Sequence, residues 1–347
     1  MKVIFRVDAS LEMGTGHVMR CLALAQVLKE NGVNTEFICR KHKGNLIDKI
    51  RSSGFHTHEL ELSGESETDN KLAHSSWLGV TQQKDTDDCI NILKVEKIDW
   101  LIVDHYGLDE QWQKSLKPYY GKLMVIDDLA DRQFYCDILL NQNLGSHKDN
   151  YENKVPKGCE LLLGCEYALL RPEFSKLRNQ ALEKRKNTKE IKNILVFMGG
   201  GENNITYDIL KQLDDRFNIV VVLGKSSPCN EKIQRYAQGK NIKVIVEADN
   251  MARLMLEADL AIGAGGSTSW ERCCLGLPTI LYMTANNQRE VVKNLEQLGS
   301  VILAGSLKHD LQEIMSDFSL WQGMSNKSQV ICDGLGVKRI KSIVDIL

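Results

Sequence analysis

The feature that most constrains the fold of this chain is a repeated alternation between short apolar runs and amphipathic segments. This alternation is typical of βαβ units, in which a helix connects each strand to the next parallel strand. The runs are largely apolar, which indicates strands that are buried on both faces of their sheet. They cover residues 3–7, 34–39, 100–103, 123–126, 138–140, 194–198, 219–223, 244–246, 260–262 and 279–282. The sequence therefore predicts an α/β fold built on parallel sheets.

The predicted strands fall into two groups, separated by a charged segment at residues 175–192. A chain of 347 residues is too long for one ordinary hydrophobic core. Each group opens with a strand that leads into a glycine-rich turn, so we expect two Rossmann-like domains, residues 1–175 and 190–347. When two such domains face each other across a cleft, the loops at the carboxyl ends of both sheets line that cleft. We therefore expect the functional residues there.

Composition and charge narrow the classes of partner. Apolar residues make up 43% and charged residues 26%, which is typical of a globular protein rather than a disordered one. The formal net charge of −2 gives no reason to expect nucleic acid or an anionic membrane as a partner. The first residues include charges and no run is long enough to cross a bilayer, so we expect a cytoplasmic protein. A small anionic ligand remains compatible with this net charge, because backbone N–H groups can hold a phosphate.

The ten cysteines form neither a disulfide framework nor a metal-binding pattern. Several lie inside apolar runs, Cys273 and Cys274 are adjacent, and no Cys-x-x-Cys motif occurs. His56 and His58 have no cysteine or carboxylate at the spacing of a metal site. We therefore expect buried free thiols, no metal site and no cofactor.

The first glycine-rich turn, Gly14-Thr15-Gly16-His17, precedes an amphipathic helix predicted over residues 18–28. Glycines let the backbone approach a ligand, and a helix N-terminus offers N–H groups to a phosphate or a developing negative charge. The helix dipole there favours neutral imidazole, which can accept a proton. The turn differs from the Gly-x-Gly-x-x-Gly pattern of dinucleotide-binding folds. Taken alone, the turn is explained as well by a histidine that only caps the helix or packs against its neighbours.

A second glycine-rich turn lies in the other half of the chain. Gly265 and Gly266 precede Ser267 and Thr268 and lead into a helix, an arrangement that suits a diphosphate. Ser267 and Thr268 could instead only cap that helix, although a cap and a phosphate site are compatible. After the strand at 194–198, Met198-Gly199-Gly200 is expected to form the facing wall of the cleft.

Nine motifs, spread in collinear order over most of the chain, carry a family resemblance. They cover residues 5–10, 14–20, 104–107, 127–128, 137–143, 164–171, 197–200, 267–271 and 287–288. Together they closely resemble the bacterial UDP-2,4-diacetamido-2,4,6-trideoxy-β-L-altropyranose hydrolases of pseudaminic acid biosynthesis. Residues 77–80, Trp-Leu-Gly-Val, look like the longer members of this family.

The resemblance implies a GT-B fold, similar to that of the glycosyltransferase that adds N-acetylglucosamine to the peptidoglycan precursor. It implies that water attacks the anomeric carbon, UDP leaves and the configuration inverts. Since no metal-ligand cluster is apparent and N–H groups of the glycine-rich turn can hold the diphosphate, we expect no metal ion to be needed. His17 is the general base by resemblance, and Tyr106 matches a residue that contacts the substrate or the catalytic water. Glu271 matches a glutamate that binds the ribose hydroxyls, and Arg20 and Asn287 match substrate-binding positions.

The residues are compatible with this chemistry. UDP is a good leaving group, so one base suffices and the paired carboxylates of glycosidases are not needed. Tyr106 lies just past the carboxyl end of the strand predicted at 100–103, which favours a functional role, although a packed aromatic bonded to backbone is the alternative. Family members often carry Asp-Pro where residues 201–204 read Gly-Glu-Asn-Asn, and we assign no role to that loop. Asp8 is interpreted as structural support, and His105 is left without a role.

Two other functions compete with hydrolysis. A GT-B glycosyltransferase would pass the sugar to an acceptor instead of water, but no basic and apolar patch of the kind used at a membrane is found. A sugar-nucleotide binding module without catalysis is disfavoured by His17 at the start of a helix. The predicted partner is thus a small UDP-sugar.

Overall fold

The fold is described from a computed structural model. The described residues are 1–62, 72–199, 205–225, 227, 229–285 and 288–346. The predicted ligand-binding residues Gly200 and Asn287 and the loop at 201–204 lie outside this part of the chain.

Two compact units divide the chain. The first comprises Met1–Leu169 together with Val337–Leu347, and the second comprises Leu170–Gly336. The sequence interpretation placed the boundary within residues 175–190 and kept the C-terminal segment with the second domain. In the structure, the C-terminal helix packs into the core of the first unit instead. Its apolar positions predict a buried face, but periodicity does not indicate which sheet covers that face.

The first unit is a seven-stranded parallel sheet with helices on both faces. Its strands are β1 (Lys2–Val7), β2 (Asn34–Arg40), β3 (His56–Leu60), β4 (Ile98–Asp104), β5 (Tyr120–Ile126), β6 (Ile138–Asn141) and β7 (Glu160–Leu163). Their order in the sheet is β3-β2-β1-β4-β5-β6-β7. The helices are α1 (Gly16–Glu30), α2 (Ile47–Ser52), α3 (Gln82–Leu93) and α4 (Glu110–Leu116), with the C-terminal helix, residues 336–346, joining them. That helix buries Val344, whose carbonyl oxygen accepts a 3.2 Å hydrogen bond from Trp100 Nε1.

The second unit is a six-stranded parallel sheet in the order β10-β9-β8-β11-β12-β13. Its strands are β8 (Asn193–Phe197), β9 (Asn218–Leu223), β10 (Ile242–Val246), β11 (Leu260–Ala264), β12 (Thr279–Tyr282) and β13 (Val301–Leu303). Its helices are α5 (Pro172–Asn187), α6 (Ile205–Gln212), α7 (Asn230–Ala237), α8 (Met251–Glu257), α9 (Thr268–Cys274), α10 (Arg289–Gln297), α11 (Leu307–Ser316) and α12 (Phe318–Ser328). The C-terminal helix that was described above with the first unit is the last in the chain, α13 (Gly336–Ile346).

All ten predicted strands are present, and three further strands were missed. β3 reads His-Thr-His-Glu-Leu and is too polar to stand out, while β7 and β13 are only four and three residues long. The missed strands lie at the edges of the two sheets. Edge strands are less completely covered than central ones, so they need not be continuously apolar.

The strand order fixes where each unit can bind a ligand. In the first sheet the order reverses between β1 and β4, and in the second between β8 and β11. Parallel sheets bind ligands beyond the carboxyl ends of their strands at this point of reversal. Each predicted glycine-rich turn follows one of these four strands. Residues 14–17 follow β1, and residues 265–268 follow β11.

Two expectations drawn from composition can be compared with the structure. All ten cysteines are free thiols, as predicted; Cys159 is half-buried and the other nine are buried. None of the described helices combines the length and the apolar character that a membrane crossing requires.

Candidate active site

The turn after β1 exposes the amino end of α1. Gly14 has a φ of +74°, a left-handed conformation that favours glycine, and its N–H donates to the Ser10 carbonyl at 2.9 Å. Thr15 is the N-cap residue, yet its side chain makes no capping hydrogen bond to the described residues, and the first turn holds no acidic residue. With Gly16 as the first residue of α1, the helix presents backbone N–H groups and the positive end of its dipole to a ligand.

His17 is held by a buried carboxylate at the end of β4. His17 Nδ1 lies 2.7 Å from Asp104 Oδ1, and the Asp104 side chain is fully buried. Burial alone would raise the pKa of Asp104, but the charge of Arg20 and the nearby His17 outweigh it, so this pKa lies well below its ordinary value. An ionised carboxylate only accepts hydrogen bonds, so Nδ1 carries the proton. Nε2 of neutral His17 is then the nitrogen whose lone pair can accept a proton.

Arg20 fixes this carboxylate from the next turn of α1. Its Nε and one terminal nitrogen donate to the two oxygens of Asp104 at 2.6 and 2.7 Å, and the other terminal nitrogen donates to Asp128 at 2.7 Å. The sequence interpretation gave Arg20 to substrate binding. In the structure this residue is buried and binds both carboxylates, and its role in substrate binding stays a prediction.

Tyr106 lies beside the His17 ring and bonds to the second carboxylate. The two ring centroids are 4.7 Å apart with the planes at 82°, and the Tyr106 hydroxyl donates to Asp128 Oδ2. The alternative expectation was a hydroxyl bonded to backbone, whereas the structure gives it a carboxylate partner. Asn143 Nδ2 donates to the other oxygen of Asp128 at 3.0 Å. Burial raises the pKa of the Tyr106 hydroxyl well above its ordinary value, so this group is a hydrogen-bond donor at neutral pH.

Two further rings, which the sequence interpretation did not assign, complete the surroundings of His17. Trp77 stacks on Tyr106 with centroids 5.6 Å apart, and its Nε1 donates to Glu12 at 3.0 Å. His74 packs against both Trp77 and Tyr106. His74 Nδ1 is buried and has no hydrogen-bond partner within the described ranges. The resemblance of residues 77–80 to longer family members was the one signal that could have pointed to this wall of rings.

Asp8 and His105 form a separate buried group. Arg6 pairs with Asp8 at 2.7 Å, and both side chains have no exposure to solvent. His105 Nδ1 accepts a 3.0 Å hydrogen bond from the Gly107 N–H, so Nε2 carries the proton and lies 3.4 Å from Asp8. Burial lowers the pKa of His105 to about 3, which keeps it neutral. These contacts agree with structural support as the role of Asp8.

In the second unit, the predicted nucleotide turn precedes α9. A Cβ on Gly265 would lie 2.5 Å from Val292 Cγ2, so this close approach to α10 requires glycine. Ser267 is the exposed N-cap residue, and its side chain makes no capping bond to any described residue. Thr268 is the first residue of the helix. The structure therefore does not support the alternative in which the Ser267 side chain only caps the helix.

Glu271 stands one turn into α9 in an environment that disfavours its charge. Its side chain is 16% exposed, and the nearest cation shown is Arg171, with one nitrogen 3.8 Å from Glu271 Oε1. Burial raises the pKa of Glu271 to about 7, and the charges of Arg171 and Arg272 offset only part of this rise. A carboxylate of this kind gains free energy from any hydroxyl groups that donate to it.

The remaining predicted residues lie after β8. Met198 is buried in the hydrophobic core of the second unit, so only its backbone can reach a ligand. Gly199 has a φ of +93°, and no heavy atom lies within 4 Å of a Cβ built there. The structure thus brings His17, Arg20 and Tyr106 together in the first unit, and Ser267, Thr268 and Glu271 on one turn in the second.

Comparison with known proteins identifies the family. The chain is 32% identical over 270 residues to the UDP-2,4-diacetamido-2,4,6-trideoxy-beta-L-altropyranose hydrolase of Campylobacter jejuni, covering 77% of this chain and 86% of that protein. The chain belongs to the family of this hydrolase. It is also 25% identical over 365 residues to the spore coat polysaccharide biosynthesis protein SpsG of Bacillus subtilis, covering 100% and 98% of the two chains. An uncharacterised protein of Methanocaldococcus jannaschii is 33% identical over 300 residues, and the chain spans 57% of its length.

A family model and solved structures bear on the fold. The glycosyltransferase family 28 C-terminal domain matches residues 173–318. MurG of Acinetobacter baumannii aligns with a TM-score of 0.64 at 15% identity, over 100% of this chain and 99% of its own. A UDP-GlcNAc 2-epimerase of Neisseria meningitidis aligns with a TM-score of 0.67 at 15% identity, over the whole of both chains. The predicted GT-B fold, with two Rossmann-like units, is thereby confirmed.

Proposed function

We propose that this protein hydrolyses UDP-2,4-diacetamido-2,4,6-trideoxy-β-L-altropyranose to UDP and the free sugar, as a step of pseudaminic acid biosynthesis. The observation that carries the proposal is the contact between His17 Nδ1 and the ionised Asp104, found in a chain of the hydrolase family. This contact leaves His17 Nε2 as a base at the point where the strand order of the first sheet reverses.

In the proposed reaction, His17 Nε2 takes a proton from water as the water oxygen attacks the anomeric carbon. The new carbon–oxygen bond forms while the bond from that carbon to the UDP oxygen breaks, and its electron pair leaves with UDP. Attack from the face opposite UDP inverts the configuration. Asp104 stabilises the imidazolium that forms, because its negative charge lies 2.7 Å from Nδ1. UDP leaves as a stable anion, so the step needs no strong general acid.

We assign the UDP moiety to the second unit. Backbone N–H groups of Ser267 and Thr268 at the start of α9 would hold the diphosphate, and Glu271 would accept hydrogen bonds from the ribose hydroxyls. The open backbone at Gly199 would approach the nucleotide from β8. Gly200 and Asn287 remain predicted ligands of the substrate. Since backbone N–H groups can hold the diphosphate by hydrogen bonds, we propose that the reaction needs no metal ion.

We assign the sugar to the rings around His17. A trideoxy sugar with two acetamido groups carries several methyl groups, which suit the faces of aromatic side chains. Trp77 is half-buried beside His17, with 6.1 Å between the ring centroids, and Tyr106 lies behind it. The unpartnered Nδ1 of His74 would find a partner in an acetamido group.

Sugar transfer to an acceptor is the second candidate function. The match to the glycosyltransferase family 28 C-terminal domain favours it. Hydrolysis and transfer share the same UDP site and differ only in whether water or another hydroxyl attacks the anomeric carbon.

The test is incubation of the protein with the UDP-sugar in oxygen-18 water without any acceptor. We expect stoichiometric release of UDP that carries no label, because the bond to carbon breaks and not the bond to phosphorus. The UDP is analysed because a reducing sugar exchanges its anomeric oxygen with water. Labelled UDP would refute attack at carbon, and release that requires an added acceptor would establish transfer instead.

Replacing Glu271 by Gln is expected to raise the stability of the fold and to weaken nucleotide binding. The pKa of Glu271 rises from 4.5 to about 7 in the folded state, so the folded chain binds this proton more tightly than the unfolded chain. The ionised form therefore costs stability above pH 7, and the cost disappears as the pH falls towards 4.5. Glu271→Gln should raise the free energy of unfolding by up to about 3 kcal/mol at pH 8, with little change near pH 4.5.

The same variant should bind UDP more weakly, by roughly 1–3 kcal/mol, because it loses hydrogen bonds from hydroxyl groups to a charged acceptor. Urea unfolding at both pH values and calorimetric titration with UDP at pH 8 measure the two effects. Glu173→Gln is the matched control, since Glu173 also pairs with Arg171, at 3.2 Å. Unchanged UDP affinity in the Glu271 variant would remove this residue from the site.

A further inference from the structure

The outer strands of the first sheet bring two histidines and a glutamate together. His56 and His58 are two residues apart on β3, so their side chains point to the same face of the sheet. Glu36 on β2 pairs directly with His56 in the parallel register. The sequence interpretation found no carboxylate at metal-site spacing from the two histidines, because Glu36 comes from the neighbouring strand, twenty residues before His56.

The three side chains converge at their polar ends. His58 Nε2 lies 2.8 Å from Glu36 Oε2, and the two histidine rings meet edge to face with centroids 4.5 Å apart. One nitrogen or oxygen atom from each of the three residues lies within 4.8 Å of the other two. Within the part of the chain that the structure describes, this is the one group of three such side chains close enough to share a metal ion.

We propose that Glu36, His56 and His58 form a binding site for a zinc ion. Two imidazole nitrogens and one carboxylate oxygen are a ligand set that zinc accepts, with water in the fourth position of a tetrahedron. Zinc bonds of about 2.0–2.2 Å place neighbouring ligand atoms roughly 3.3 Å apart. The three groups now lie within 4.8 Å of one another, and both rings have room to turn towards that spacing, because His56 is exposed and His58 is 27% exposed.

A neighbouring cation sets the expected strength of binding. Lys2 Nζ lies 2.8 Å from Glu36 Oε1, on the carboxylate oxygen that does not face His58. Its positive charge opposes a second cation on the same carboxylate. Three ligands on a partly exposed surface beside a lysine should therefore bind zinc more weakly than a closed site of four protein ligands.

This site is separate from the proposed catalysis. His56 is the first residue of β3, whereas His17 follows the carboxyl end of β1 in a parallel sheet. The two positions are therefore at opposite ends of the strands, and zinc binding at β3 does not depend on the reaction proposed above.

Calorimetric titration of the full, untagged chain with zinc chloride under reducing conditions tests this site. We expect one zinc ion per chain and at least tenfold weaker binding after His56→Ala, His58→Ala or Glu36→Gln. His309→Ala is the matched control, because His309 is an exposed histidine whose ring lies 3.9 Å from the Asp310 carboxylate. It should bind zinc like the original chain.

His56→Ala is the deciding variant, because an exposed side chain can be removed without loss of folding, which a thermal melt verifies. Zinc affinity that is unchanged in this variant, or an absence of binding in the unaltered chain at millimolar zinc, would overturn the proposal.

Discussion

Replacing His17 by Asn is expected to lower the turnover number by about 10²–10⁴-fold, the usual contribution of a positioned general base. The substitution removes the Nε2 lone pair that would take the proton from water. It should leave UDP affinity nearly unchanged, because we assign the nucleotide to the second unit. Release of UDP from the UDP-sugar measures turnover, and calorimetry with UDP measures binding.

The pH profile provides an independent measurement on the same residue. Activity of the unaltered chain should fall on acidification, because protonated imidazole cannot accept a proton. At saturating UDP-sugar, the residual turnover of the His17 variant should lack this dependence. A folded variant that binds UDP and turns over at nearly the original rate would exclude His17 as the base.

The architecture could be predicted from the sequence because parallel strands buried on both faces are continuously apolar. Central strands such as β1, β4 and β11 carry this signal, and the glycine-rich turns that follow β1 and β11 were located with them. The edge strand β3 carries polar residues and was missed. The C-terminal helix α13 was assigned to the second domain although it packs in the first unit, since periodicity identifies an apolar face but not its partner.

The candidate site was predictable only where its residues are close in sequence. His17 follows the turn at Gly14, and Tyr106 follows its own strand, so local patterns indicated both. The carboxylates that organise them come from other strands: Asp104 is 87 residues from His17, and their contact depends on the pairing of β1 with β4. Glu36 likewise meets Lys2 and His58 only through strand register.

Asp104→Asn should lower the turnover number by about 10²–10⁴-fold, because the amide can donate a hydrogen bond to Nδ1 where the carboxylate accepts one. A donating amide favours the ring form with its proton on Nε2, which cannot act as base. Among the described residues, the substitution also leaves buried Arg20 with Asp128 as its one charged partner. It should therefore reduce the free energy of unfolding by about 3 kcal/mol.

A matched control separates these two effects. Asp8 is as deeply buried as Asp104 and pairs with a buried arginine, Arg6, which keeps Asp85 as a second partner at 2.6 Å. Asp8→Asn should therefore destabilise the protein by a similar amount. Because Asp8 does not contact the proposed base, we expect turnover per folded molecule to stay within about threefold of the original.

The comparison is best made at pH 7 to 8. The pKa of Asp104 is lowered in the folded state: burial alone would raise it, but the charge of Arg20 and the hydrogen bonds from Arg20 and His17 outweigh that effect. Its contribution to stability is thus fully present above the ordinary aspartate pKa of 3.8 and is lost only as the pH falls below that value. Nitrogen-15 spectra of the His17 ring should show the proton on Nδ1 in the original chain and on Nε2 in a growing fraction of the Asp104 variant. Equal turnover in the Asp104 and Asp8 variants, with the proton on Nδ1 in both, would mean that Asp104 stabilises the fold without orienting the base.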